Sequence, residues 1–279
     1  PRSNRALGTG FIIDTEGHIL TNHHVLGNTT DVVVVLFDGD EHKAKIVGRD
    51  PKLDLALLKI APLPKLRPVR FGDSDNLRRG EWVLALGNPF GAEVTASAGI
   101  ISSLGHLSHE AFVQPAELNY MGFIQTDMRI DASNSGGPIS NTAGEVVAIA
   151  TASEELGGSV GYAVPISRAQ AIVPQLKKDG VVSRSYVGMY VDRVSAADAK
   201  KAGLDAPRGA LITDVVGGSP AAAAGLRTGD IILSAGGKEV DHASLPWLIS
   251  TTVVGTKLKL GIWRAKAAGA VTITTAAMK

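Results

Sequence analysis

Short apolar runs separated by turn residues fill the first part of the chain. Asp31-Val32-Val33-Val34-Val35-Leu36-Phe37 stops at Asp38-Gly39. Trp82-Val83-Leu84-Ala85-Leu86 and Gly144-Glu145-Val146-Val147-Ala148-Ile149-Ala150 share its character. Runs this short, bounded by turn formers, predict the strands of a sandwich or barrel, and their apolar content suits a closed barrel core. The period changes at Ser167–Lys178, where a helix is predicted, with Pro165 or Ser167 near its start and Gly180 past its end. Lys177-Lys178-Asp179-Gly180 then opens a linker, and from about Ser185 the chain changes character.

Composition narrows the class without naming a chemistry. The 279 residues suffice for one large domain or two ordinary ones. With 44% hydrophobic and 20% charged residues the chain falls among folded soluble proteins. A net charge of +1 gives no electrostatic case for nucleic acid or an anionic membrane. The absence of cysteine excludes thiol catalysis, disulfides and cysteine metal sites, but does not report the compartment. No run of eighteen apolar residues occurs, and Pro1-Arg2-Ser3-Asn4-Arg5 lacks an apolar signal core. His106 and His109 form a His-x-x-His pair without a further ligand cluster, which reads as a surface loop; no metal and no cofactor is expected.

Candidate chemistry sits in Asp131-Ala132-Ser133-Asn134-Ser135-Gly136-Gly137-Pro138. Glycine permits backbone angles closed to other residues, so this turn can present Ser135 with its amides toward a substrate carbonyl. A serine hydroxyl is a weak nucleophile until a base takes its proton. Ser133 and Ser140 are rivals, but only Ser135 is followed by Gly-Gly-Pro; alone, a Ser-Gly-Gly stretch is usually just a turn. Thr21-Asn22-His23-His24-Val25 supplies two candidate bases, and Asp54 heads the apolar run Leu55-Ala56-Leu57-Leu58-Lys59. Asp50 precedes Pro51 and suits a turn. An aspartate leading an apolar strand needs a partner, which favours Asp54. The chain order His, Asp, Ser is that of the chymotrypsin-type triad.

These segments, with Gly8-Thr9-Gly10-Phe11-Ile12-Ile13, Gly87-Asn88-Pro89-Phe90-Gly91 and Ile124-Gln125-Thr126-Asp127, resemble the HtrA/Deg serine proteases in the family's order. The resemblance implies a mainly β fold: two perpendicular six-stranded β-barrels of chymotrypsin type with the triad in the cleft between them. In the family pattern the base is the histidine directly before the valine, so the triad would be His24, Asp54 and Ser135. His24 and Asp54 would come from the first barrel and Ser135 from the second. The backbone of Ser133, Asn134 and Ser135 would form the oxyanion hole, with the N–H groups of Ser133 and Ser135 as donors. Here the chain departs from the family, which usually has glycine where Ser133 stands. Strain at such a position costs about 1–3 kcal/mol, and losing one oxyanion donor costs roughly 100- to 1000-fold in rate. That departure supports an alternative, a catalytically silent peptide-binding protein.

By the same resemblance Ile130 lines the primary specificity pocket. Met128 and Arg129 stand where small residues are common, and Arg129 is expected to point to solvent. Ala150, Thr151 and Ala152 would offer an edge on which substrate pairs as an added strand. The loop 154–159 and the segment 103–122 would be regulatory loops. The region from Ser185 resembles a PDZ domain. Tyr186-Val187-Gly188-Met189 would bind a peptide carboxylate, Gly209–Val215 would form the next core strand, and Pro220 onward a short helix. The expected organisation is a protease domain over 1–180 and a PDZ domain over 185–279. The implied function is ATP-independent cleavage of unfolded or mislocalised proteins in protein quality control. Implied partners are unfolded substrates and peptide C-termini, in a homotrimer or larger homo-oligomer, in the periplasm or another exported or organellar compartment.

Overall fold

The computed structural model describes residues 8–88, 94–106, 122–130, 134–151 and 161–278. The chain divides into two compact units, Pro1–Val182 and Ser183–Lys279.

The first unit opens with β1 (Phe11–Ile12), β2 (His18–Asn22), the short helix α1 (His23–Leu26), β3 (Val32–Val35), β4 (Glu41–Asp50) and β5 (Leu55–Lys59). These strands form one curled antiparallel sheet in the order β1-β2-β5-β4-β3. Leu20, Leu55 and Leu57 are wholly buried in it, each side chain contributing about 1.5–3 kcal/mol by leaving water. The antiparallel register between β2 and β5 pairs Asn22 with Leu55. The start of α1 and residue Asp54 therefore lie at the same end of the sheet. The Val32–Val35 run, read from sequence as core, is an edge strand with Val33 45% and Val35 38% exposed.

The unit continues with β6 (Arg70–Phe71), β7 (Trp82–Gly87), β8 (Thr95–His106), β9 (Phe123–Thr126), β10 (Pro138–Asn141), β11 (Glu145–Thr151) and β12 (Gly161–Pro165). Six of these run β10-β7-β8-β9-β12-β11, and β11 returns to pair with β10, closing a barrel; β6 joins β11 in parallel. The described strands thus give one closed six-stranded barrel and one curled five-stranded sheet. Val83, Ala85, Ile101, Ile124, Ile139 and Ala148 fill the barrel. Helix α2 (Ile166–Asp179) follows, burying Ile166, Ala169, Ile172 and Leu176 on one face, the spacing of an amphipathic helix. It ends at Gly180, whose φ of 75° suits a residue without a Cβ and whose N–H bonds Leu176 O. The expected linker residues Lys177, Lys178 and Asp179 are helical.

The second unit contains β13 (Ser185–Tyr186), β14 (Met189–Arg193), α3 (Ala196–Ala202), β15 (Ala210–Val215), α4 (Pro220–Ala223), β16 (Ile231–Ala235), β17 (Lys238–Glu239), α5 (Ser244–Thr251), β18 (Lys257–Arg264), β19 (Ala267–Thr274) and β20 (Ala276–Ala277). Its main sheet runs β14-β15-β16-β18-β19, with β17 on β16 and a separate β13–β20 pair. Val187, Ile212, Leu226, Ile232, Leu245 and Leu260 make its core. Strand β14 lies at the sheet's edge. Among the described residues no helix is long and apolar enough to cross a membrane.

Candidate active site

The β2–β5 register sets the first half of the site. Asp54 precedes β5 with a φ of 54°, left-handed backbone that few residues other than glycine adopt, although aspartate does so more readily. Its carbonyl accepts hydrogen bonds from His23 N at 3.0 Å and from Asn22 Nδ2 at 2.9 Å. This conformation turns the carboxylate onto α1. Oδ1 accepts the His24 backbone N–H at 2.9 Å, and Oδ2 lies 2.5 Å from His24 Nδ1. A carboxylate is an acceptor only, so the shared proton sits on Nδ1 and the neutral ring presents Nε2 as an acceptor. His24 Nε2 is 2.8 Å from Ser135 Oγ. His23 instead turns its Nδ1 toward Arg49 Nη1 at 3.4 Å, and Asp50 closes β4 opposite Leu55.

The second half is a turn that only glycine permits. Gly136 has a φ of 82°. A Cβ there would run into the Thr9 carbonyl oxygen, and one on Gly137 would run into Leu86 O. The turn is held by Thr9 N donating to Ser135 O, Gly136 N to Ala150 O, Gly137 N to Asn134 O and Ala150 N to Gly137 O, each at 2.9 Å. Ser135 is wholly buried and Asn134 is 7% exposed. The Ser133 position, and with it the first expected oxyanion donor, lies outside the described residues, as does Ala152. The expected loops at 154–159 and over most of 103–122 lie outside them too.

Ala150 spends both backbone groups on the nucleophile turn, and β10 pairs β11 only as far as Ile149. Thr151 is therefore the described residue from which an added strand would begin. Ile130 is half-buried and faces Gly161, where a Cβ would come within 2.8 Å of Ile130 Cδ1. Gly161, unnoticed in the sequence, thus keeps open the space beside Ile130. Met128 is 1% exposed, whereas Arg129 is exposed. Asn22 also escaped the sequence reading: it is wholly buried, and its Oδ1 lies 2.9 Å from Ser135 Oγ.

Elsewhere in this unit Asp14, Glu16 and His18 bring their ligand atoms within 4.8 Å of one another. Lys177 Nζ already lies 2.7 Å from Asp14 Oδ2 and Lys59 Nζ 3.8 Å from Glu16 Oε2, so lysines balance the charge of this cluster. His106 ends β8, and His109 lies outside the described residues.

In the second unit Tyr186 ends β13 and Met189 begins β14. Between them Val187 O accepts from Ala221 N at 2.8 Å, and Gly188 O from Val216 N at 2.9 Å and Ser219 Oγ at 3.2 Å. Gly188 has a φ of 76°, and a Cβ there would strike Ser219. With both carbonyls bonded inward, the Val187 and Gly188 N–H groups have no hydrogen-bond acceptor among the described residues.

A family model for the trypsin-like peptidase domain matches residues 8–149, and one for the PDZ domain matches residues 180–275. A probable periplasmic serine endoprotease, DegP-like, of Pseudomonas putida (strain W619) is 44% identical over 267 residues, covering 94% of this chain and 54% of that protein. The solved structure of the HtrA-type protease AlgW with tripeptide is 34% identical, covers 98% of this chain and 89% of that one, and superposes with a TM-score of 0.79. The chain belongs to the HtrA/Deg family of serine proteases. Within that family it is also similar to the serine endoprotease from Yersinia pestis, at 31% identity and a TM-score of 0.66 over 100% of this chain and 92% of that one. The chain spans about half the length of the curated HtrA relatives it matches, 54% for the Pseudomonas putida protein.

Proposed function

We propose that this chain is an ATP-independent serine endopeptidase that hydrolyses unfolded or mislocalised proteins. The observation carrying this reading is the unbroken hydrogen-bond path from Asp54 through both nitrogens of His24 to Ser135 Oγ, at 2.5 and 2.8 Å. Neutral His24 takes the Ser135 proton as Oγ attacks the substrate carbonyl, then delivers it to the leaving amine. Asp54 holds the ring in the required tautomer and stabilises the imidazolium. The N–H groups of Ser133 and Ser135 receive the developing oxyanion. The half-buried Ile130 beside Gly161 suits a small or medium aliphatic side chain before the scissile bond. Substrate pairs with the chain from Thr151 into Ala152 as an added strand, which demands an extended, unfolded segment.

The second unit captures peptide C-termini. The N–H groups of Val187 and Gly188 meet the carboxylate, Tyr186 and Met189 frame the loop, and the edge strand β14 pairs with the peptide. Self-association to a homotrimer or larger is supported by an exposed apolar face on the barrel: Trp82 63%, Leu84 37% and Val94 43% exposed. The relatives' description as periplasmic supports an exported site of action in protein quality control.

Hydrolysis of casein by the full chain beside Ser135→Ala, with active-site phosphonate labelling of both, tests the reading. Turnover and labelling in the parent, with turnover lost about 10⁴- to 10⁶-fold in Ser135→Ala, is the expected result. A parent chain that neither hydrolyses nor takes label overturns it and leaves a peptide-binding protein.

A further inference from the structure

We propose that Asn22 is a positioning residue that decides where the Ser135 hydroxyl proton points, and that it shifts the balance between neutral and protonated His24 toward the protonated form. This rests on the serine-endopeptidase reading above. Asn22 is the last residue of β2 and the N-cap of α1, with φ −81° and ψ 150°. Asparagine in that place commonly caps the helix with its side chain, but Asn22 makes no side-chain cap bond. Its amide is spent elsewhere. Nδ2 donates to Asp54 O at 2.9 Å and to Thr151 Oγ1 at 3.2 Å, which fixes the orientation of the group and aims Oδ1 at Ser135 Oγ, 2.9 Å away.

Ser135 Oγ therefore stands between two acceptors, Asn22 Oδ1 at 2.9 Å and His24 Nε2 at 2.8 Å, with a single proton to give. Asp54 requires a proton on His24 Nδ1 in either state of the ring. When the ring is neutral, the hydroxyl donates to Nε2, and Asn22 Oδ1 faces an oxygen lone pair inside a buried site. When the ring is protonated, Nε2–H donates to Oγ and the hydroxyl donates to Asn22 Oδ1. Every atom of the network then has a partner. A buried acceptor without its donor is costly, so the network is complete only with the imidazolium. Asp54 faces the ring through Nδ1 in both protonation states, and Arg49 faces the neighbouring His23. Asn22 thus raises the pH at which His24 becomes a free base.

The test is the titration of His24 itself, followed by NMR in full chains carrying ¹³C at the histidine Cε1 positions, with His24→Ala to assign the resonance. In Asn22→Ala the midpoint is expected to fall by about half to one pH unit, the scale of one hydrogen bond. In Asn22→Asp a carboxylate replaces the carbonyl oxygen, and the midpoint is expected to rise by at least as much. Both variants lose the same Nδ2 donors to Asp54 and Thr151. The added charge in Asn22→Asp raises the midpoint whatever the native side chain does, so Asn22→Ala decides: a midpoint that stays or rises there overturns the proposal. The acid limb of kcat/KM should follow the same order. Because the titration needs no turnover, an inactive parent chain would sink the protease reading while leaving the proton test decidable. Where Asn22→Ala does not fold, the near-isosteric Asn22→Leu carries the test, and a midpoint that does not fall overturns the proposal.

Discussion

A Cβ at position 136 would run into the Thr9 carbonyl oxygen and stand 2.5 Å from Thr21 Oγ1, at a φ of 82°. Gly136→Ala is therefore expected to cost at least about 1–3 kcal/mol in strain and to displace the Ser135 hydroxyl. Denaturant unfolding and casein turnover would both register it, the second more severely. The two adjacent histidines make a sharper contrast. His24→Ala is expected to lower kcat by about 10⁴- to 10⁶-fold. His23→Ala, which removes a ring facing Arg49, should change kcat only a few-fold, and comparable losses would refute the assignment. Much of this was legible in the sequence because glycine demands are local: Ser135-Gly136-Gly137 states its own turn. Asn22 was not legible. Its partner Ser135 is 113 residues away, and an asparagine before a helix reads as an ordinary cap. Gly161 escaped for the same reason, since its neighbours Ile130 and Met128 lie on another segment.

At the scale of elements, the β1–β2 hairpin is tied to α2 through one carboxylate. Burial pushes the Asp14 carboxyl up, but hydrogen bonds from Lys177 and from the His18 backbone and ring outweigh it and bring it down from 3.8 to about 2. A depressed folded-state value adds stability above the unfolded value that disappears as pH falls through the folded one. The unfolding temperature of Asp14→Asn should thus lie below the parent's at pH 6, and the gap should close between about pH 4 and pH 2. A gap that persists at pH 2 would mean the hairpin is held by something other than this charge. Helix α2 was readable because its apolar spacing and Gly180 cap are both written within the segment. Strand β3 was readable as a strand but not as an edge. A run of four valines has no alternation to show which face is buried, and its place at the sheet edge is set by pairing with β4 alone.

Across the whole molecule, the proposed self-association can be tested at Trp82, 63% exposed on β7. Trp82→Glu should shift sedimentation velocity toward monomer without altering circular dichroism; an unchanged sedimentation coefficient would remove β7 from the assembly surface. The site itself has a consequence for how the enzyme comes into being. His24 meets Asp54 across 30 residues of chain but meets Ser135 across 111, and contacts closing longer loops carry more entropy and form more slowly. A chain emerging from synthesis can finish the first sheet, with His24 on Asp54, while its nucleophile is still unplaced. The barrel that carries the nucleophile closes only when β12, last of its strands in the chain, pairs between β9 and β11. An unfinished copy carries its base and no placed nucleophile, so completion of the site is timed by the last strand to close.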